Sequence, residues 1–317
     1  MRAIAIQEFG GRGKLQLMDL PVPALEAQEV LIRIKAAGVN PVDWKIREGF
    51  LRDFLPHEFP IILGWDTAGV VEKIGNEVTG HHVGDEVFSY CRLPVIHNGS
   101  YAEFIALPAD IVAKKPASLS FEQAASIPLA GLTAYQSLFD AGGLQRGDIV
   151  LIHAAAGGVG GFAVQLAKQH GATVIGTASP RNHGYLRGLG TDRVIDYLTQ
   201  DFRQVIHEWY PSGVDLVYDC VGGEVLEQSV EILSPTGRLI TIAEPAHAET
   251  MKAQGINVQF VFVAPNARQL EELTHMADQG QLHTHVSGTF PLEEAVHAHE
   301  ILETQHVKGK LVLTLGT

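Results

Sequence analysis

Residues 153–161 of the chain read HAAAGGVGG, four glycines and three alanines between an apolar run and a long stretch of helix formers. From Ala155 the spacing is A-x-G-x-x-G, so Ala155, Ala156, Gly157, Gly158, Val159 and Gly160 form a nearly bare backbone. Bare backbone can approach a pyrophosphate closely, and the N–H groups that open the next helix then face its negative charge. The match gains weight from its context, because it follows a strand pattern, opens a helix pattern and lies in a βαβ unit. A strand-to-helix packing turn with no ligand is the competing reading.

About 20 residues further on, NAD-binding chains of this kind place an Asp or Glu on the ribose 2′-hydroxyl. Here the second strand ends in TASPRN, which holds Ser179 and Arg181 and no carboxylate. A hydroxyl and a guanidinium suit a doubly charged 2′-phosphate, so these residues predict NADPH as the cofactor. Helix starts favour Ser and Asn on their own account, and a helix cap beside a solvated arginine is the alternative.

The elements that must hold this loop follow from the hydrophobic pattern. From Asp148 onward short apolar runs alternate with helical ones. IVLIHA, ATVIGTA, RVIDY, VDLVYDCVGG and GRLITIA read as strands, and GFAVQLAKQHG, PRNHGYLRGLG, DFRQVIHEWY and EVLEQSVEILS as helices. That order predicts an α/β domain with a doubly wound parallel sheet. Before residue 123 the runs are short and broken by Gly, Pro, Asn and Asp, which predicts an irregular antiparallel β domain. The C-terminal part adds the helices NARQLEELTHMADQG and LEEAVHAHEILE and a final strand, GKLVLTL. We place the boundaries at 1–123, 124–262 and 263–317, as two domains without a flexible tether.

Composition excludes several classes. A net charge of −13 disfavours nucleic acid and anionic membrane surfaces as partners, since both call for clustered Lys and Arg. Cys91 and Cys220 are the only cysteines and lie far apart, which rules out a disulfide framework and fits a reducing, cytoplasmic setting. The N-terminal MRAIAIQEFG lacks the apolar core of a signal peptide. Residues 149–167 are uncharged and nearly long enough to span a bilayer, but their central glycines argue against a spanning helix. No Tyr-x-x-x-Lys, G-x-S-x-G or H-E-x-x-H string occurs.

The motifs AAGVNPVDWKIREG, LGWDTAGVV, VGDEVF, GSYAEF, AASIPLAGLTAYQSL, AAAGGVG, TASPRN, VIDY, DCVGG and HVKGKLVL together run the length of the chain. On them the sequence resembles the medium-chain dehydrogenase/reductase superfamily, and within it the zinc-independent, NADPH:quinone oxidoreductase-like branch. The resemblance implies a GroES-like catalytic domain built from both chain ends, a Rossmann domain, an active site in the cleft and a homo-oligomer, a homodimer or a homotetramer. Zinc alcohol dehydrogenases of the superfamily hold their metal with a cysteine, a Gly-His-Glu motif and a further Cys or acid. Here Asn40 and Gly64-Trp65-Asp66 stand at the first two places, and residues 126–135 contain no cysteine, so no tetrahedral N/S site can be assembled. His283 with His285, and His81 with His82, lack a third ligand at useful spacing, while His297 and His299 would point to different faces of a helix.

Without a Lewis acid, hydride transfer to a simple ketone loses a large stabilising contribution, whereas a quinone or conjugated carbonyl spreads the arriving charge over its own π-system. Reduction of such an acceptor by NADPH is the expected reaction. An enoyl or alkenal double-bond reductase is the alternative enzyme, and a low-turnover NADPH-binding sensor or structural protein the alternative outside catalysis. By resemblance, Asn40 lies beside nicotinamide and substrate with Asp43 and Trp44 around it, and Thr133 contacts the nicotinamide side. Many relatives have Tyr where this chain has Trp44, which leaves Trp44 as a pocket wall. Tyr197 falls near the adenosine phosphate, Val221 along the cofactor, Phe262 and Val263 at the nicotinamide, and Lys310 in a Gly-Lys pair that reaches the cofactor.

Overall fold

In a computed structural model that describes residues 1–316, the chain divides into two compact units. The first comprises 1–132, 264–280 and the C-terminal segment from Thr284; the second comprises Thr133–Val263 and Gln281–His283.

The first unit opens with β1 (Arg2–Ile6), β2 (Gln16–Asp19), β3 (Glu29–Val39), helix α1 (Pro41–Arg47), β4 (Ile61–Ile62), β5 (Asp66–Ile74), β6 (Glu86–Tyr90), β7 (Phe104–Pro108) and β8 (Val112–Lys114). Helix α2 (Phe121–Ala125) follows, and then α3 (Pro128–Tyr135), whose residues from Thr133 on belong to the second unit. Strand β3 carries a near-continuous apolar run, VLI and AAGV among its residues, and pairs antiparallel with β5 and β7. Its buried Val30, Ile32 and Ile34 join Val71, Val87, Phe88, Ile105 and Leu107 in the core. Each such side chain contributes about 1.5–3 kcal/mol through burial.

The second unit holds β9 (Ile149–Ile152), α4 (Gly158–His170), β10 (Thr173–Thr177), α5 (His183–Gly188), β11 (Arg193–Ile195), α6 (Phe202–Trp209), β12 (Val214–Asp219), α7 (Gly223–Gln228), β13 (Leu233–Thr241), α8 (Pro245–Ala253) and β14 (Val258–Phe260). All six strands are parallel, in the order β11-β10-β9-β12-β13-β14. This is the doubly wound Rossmann order, with its switch point between β9 and β12. Leu151, Ile175, Val217 and Leu239 from the strands pack with Ile206 and Leu226 from the helices.

The chain then returns to the first unit as α9 (Ala267–Asp278), β15 (Val286–Pro291), α10 (Ala295–Glu303) and β16 (Lys310–Thr314). β16 pairs antiparallel with β3, so the two ends of the chain share one seven-stranded sheet. No helix among the described residues is long and apolar enough to cross a membrane.

Candidate active site

Strand β3 ends at Val39, and its two neighbours decide what gathers there. In the β3–β5 register Gly38 lies opposite Asp66, and in the β3–β16 register Val39 lies opposite Leu311. Asn40, Asp66 and Lys310 therefore meet at one corner of the sheet, although Asn40 and Lys310 are separated by 270 residues in sequence. A Cβ on Gly38 would fall 2.7 Å from Asp66 Oδ2, so the carboxylate lies across a position that only glycine leaves open. Asn40 Nδ2 donates to Asp66 Oδ2 at 2.9 Å, and the Lys310 ammonium donates to Asn40 Oδ1, to Asp66 Oδ2 at 3.3 Å and to the Val39 carbonyl at 3.3 Å. Asp66 Oδ1 accepts from the Leu129 N–H at 2.6 Å. All three side chains are buried, Asn40 being 1% exposed.

Asp43 sits one turn into α1 and reaches back, its Oδ2 accepting from the Asn40 N–H at 2.7 Å and from the Tyr101 hydroxyl at 3.0 Å. Tyr101 also lies 3.3 Å from His299 Nε2, and His299 Nδ1 lies 3.1 Å from Arg47 Nη1. A guanidinium can only donate, which makes Nδ1 the accepting nitrogen and leaves the ring proton on Nε2. The tautomer thus sets a one-way chain of donors, from Arg47 to His299 to Tyr101 to Asp43. Burial pushes His299 down to about 3, with Arg47 and Arg12 adding to the effect, so its ring is neutral at physiological pH. Asp43 is pushed up to about 7, chiefly by burial and further by Asp66, against the pull of the Asn40 N–H, Lys310 and Tyr101. Its Oδ1 has no hydrogen-bond partner among the described residues.

Trp44 is half-buried, edge-on to Phe50 at 5.9 Å, with the Lys45 ammonium 5.9 Å from its ring. The following loop, Arg52 to His57, lines an open recess of about 540 Å³ in which Phe54 is 77% exposed.

In the second unit the glycine loop leaves β9 and enters α4. Gly157 caps the helix with extended backbone, and no side chain occupies the cap. A Cβ on Gly160 would fall 2.4 Å from the Ala154 carbonyl oxygen and 2.7 Å from Ala155 Cα, so the start of α4 packs directly on the loop before it. His153 at the head of the loop is buried against Ser229 Oγ (3.1 Å) and is pushed down to about 4 by burial, Asp219 opposing. It is a neutral core residue.

Ser179 and exposed Arg181 follow β10, Tyr197 follows β11, Val221 follows β12, and Phe262 and Val263 follow β14. Since the strands are parallel, all of these residues and residues 155–160 leave the same, C-terminal edge of the sheet, where doubly wound folds bind ligands. Tyr197, Val221 and Phe262 are 53%, 50% and 46% exposed, while Val263 is buried. Asp219 stiffens the turn beside Val221 by accepting from the Val221 and Gly222 N–H groups and from Thr241 Oγ1. Thr133 belongs to this unit but lies in α3, buried, with its carbonyl accepting from Tyr218.

Of the sequence-predicted residues, Asn40, Asp43 and Lys310 meet in one buried cluster and the other cofactor candidates line one sheet edge, while Trp44 lies against Phe50 and Thr133 against Tyr218. Arg47, Tyr101 and His299 were not singled out from sequence for the buried network; their only signal is that each is a polar group inside an apolar pattern. His283 and His285 precede β15. Among the described residues no group of three or more His, Cys, Asp or Glu is placed to hold a metal ion.

The family model for the alcohol dehydrogenase GroES-like domain matches residues 26–117, and the zinc-binding dehydrogenase model matches residues 189–313. A chloroplast envelope quinone oxidoreductase homolog of Arabidopsis thaliana is 33% identical over 99% of this chain and 98% of its own. The quinone oxidoreductase structure from Coxiella burnetii is 39% identical with a TM-score of 0.90, over 100% of this chain and 99% of that one. The chain belongs to the quinone oxidoreductase-like branch of the medium-chain dehydrogenase/reductase superfamily. It is an oxidoreductase of that branch, with a GroES-like unit made from both chain ends and a Rossmann unit between them. Another relative, the Escherichia coli quinone oxidoreductase, is 30% identical with a TM-score of 0.87 over 99% of this chain and 100% of its own, and was solved in complex with NADPH. Nicotinamide cofactors are typical of the family. The bare Gly157–Gly160 turn and the uncapped start of α4 fit the pyrophosphate of such a cofactor.

Proposed function

We propose that this oxidoreductase uses NADPH to reduce quinones or other conjugated carbonyl compounds, with no metal ion taking part. The observation that carries the reading is the chemistry at the positions where zinc dehydrogenases of the family keep their ligands. Asn40 offers an amide, Trp65 an indole, and Asp66 is already engaged by Leu129, Asn40 and Lys310. Such a set supplies no tetrahedral N/S donors but does supply hydrogen-bond donors for an acceptor oxygen.

NADPH, when bound, supplies the hydride. Backbone N–H groups at the start of α4 would hold its pyrophosphate, Ser179 and Arg181 its 2′-phosphate, and Tyr197, Val221, Phe262 and Val263 would line it. Thr133 would serve the nicotinamide side. Asn40 orients the acceptor, Asp43 fixes Asn40 through its backbone, and Trp44 forms an apolar wall. Holding donor and acceptor carbon in contact supplies several kcal/mol of barrier reduction without a strong acid.

The test is NADPH oxidation followed optically across small quinones, enones and saturated ketones. Turnover should track the electrophilicity of the conjugated acceptors and be weak with saturated ketones. Efficient, reversible alcohol oxidation by the metal-free protein would overturn the proposal.

A further inference from the structure

We propose that Lys310 is a positioning residue for the reduction, which holds and polarises the Asn40 amide and leaves cofactor binding to other groups. The inference rests on the reading that the protein is an NADPH-dependent reductase with Asn40 at the acceptor. It departs from the role that the Gly-Lys pair suggests by resemblance.

An ammonium has three N–H donors, and Lys310 has three acceptors around it: the Val39 carbonyl, Asn40 Oδ1 and Asp66 Oδ2. It is 5% exposed, and the register of β16 on β3 places its backbone beside the end of the central strand. Its bonding capacity is therefore used inside the first unit, within the buried corner that also holds Asp43.

The consequence for Asn40 is geometric. Its oxygen faces a cation and its nitrogen faces a carboxylate. Turning the amide over would set N–H groups against the ammonium and the amide oxygen against Asp66, two repulsive contacts in a buried site. Only one orientation survives. An amide nitrogen carries two hydrogens, and Asp66 takes one of them, so the second has a fixed direction and is the donor left for an acceptor oxygen. The charge on Oδ1 also draws electron density from the nitrogen, which strengthens that N–H as a donor.

Removing the ammonium while keeping the apolar stem tests this. Lys310→Met should lower kcat by about tenfold to a hundredfold, below the hundred- to thousandfold typical of deleting an oxyanion donor itself. NADPH affinity, measured by fluorescence quenching in the absence of acceptor, should stay within about twofold of the parent. In the Asn40→Ala background the same substitution should cost no further kcat, because the group it positions is gone. Selective labelling of asparagine nitrogen gives a readout independent of turnover: the Asn40 side-chain amide signal, identified by its loss in Asn40→Ala, should move in Lys310→Met. If Lys310→Met fails to fold, Lys310→Leu, which likewise removes the donor, is judged by the same criteria.

A fall in NADPH affinity of tenfold or more would overturn the proposal and make Lys310 a cofactor ligand. A full, additive kcat loss in the Asn40→Ala background, or an unmoved amide signal, would overturn it as well. Absence of turnover by the unmodified protein with every conjugated acceptor would instead refute the reductase reading, and the affinity and amide measurements would still decide the role of Lys310.

Discussion

Asp43→Asn should stabilise the protein above neutral pH and leave it almost unchanged in acid. Asp43 is wholly buried, accepts two hydrogen bonds on Oδ2 and none on Oδ1, and is pushed up from 3.8 to about 7, first by burial and then by Asp66. A folded-state value above the unfolded one means that the folded protein holds the extra proton between those two pH values. The contribution of Asp43 to stability is therefore complete below 3.8 and is lost as the pH rises to about 7. At about 1.4 kcal/mol per pH unit, an interval of roughly three units gives a ceiling of about 4 kcal/mol.

Asparagine is neutral throughout and its oxygen can accept from the same Asn40 N–H and Tyr101 hydroxyl. Its NH₂ falls where Oδ1 lacks a partner, a cost of about 1–3 kcal/mol that the protonated acid shares, since its proton must also sit on Oδ1. The stability difference between the two proteins should be near zero at about pH 4 and should climb to a plateau above about pH 7. Urea unfolding followed by tryptophan fluorescence reports it, because Trp44 and Trp65 both lie in the unit that holds Asp43. Comparing the two proteins at each pH cancels the titration of every other group. A difference that is flat with pH, or a variant that loses ground as the pH rises, would refute the reasoning.

Arg181→Ala should weaken NADPH by about 1–3 kcal/mol and leave NADH unchanged, on the scale of one charge-assisted bond; equal losses for both cofactors would reject the 2′-phosphate assignment. Elemental analysis of the purified protein should find no stoichiometric zinc, and chelators should leave turnover intact, whereas one zinc per chain that is removable with loss of activity would contradict the metal-free reading. Gly160→Ala forces a methyl group to 2.4 Å from the Ala154 carbonyl oxygen, so the turn must open. NADPH affinity should then fall by about tenfold or more with the circular dichroism spectrum retained, and unchanged affinity would show that the loop does not meet the phosphates.

Two kinds of information separate cleanly in this chain. The tight turn of the glycine loop was legible from residues 153–161 alone, because close approach of backbone is a local property and the atoms nearest a Cβ on Gly160 belong to Ala154 and Ala155 in its own turn. The parallel sheet was legible too, since strands covered on both faces read as apolar runs separated by helical ones. The short edge strand Val258–Phe260 and the helix Pro245–Ala253 carried no such pattern, and pairing of Leu239 with Val258 decides the former. The buried corner lay beyond any local reading. Asn40, Asp66 and Lys310 come from three distant stretches, and whether they meet depends on the registers of β5 and β16 against β3, where a slip of one residue would turn each side chain to the other face. The chain from Arg47 through His299 and Tyr101 to Asp43 likewise joins a helix near the start of the sequence to one near its end. Hydrophobic periodicity can place His299 on a buried face, but only the tertiary structure sets Arg47 against its Nδ1 and so fixes which nitrogen donates.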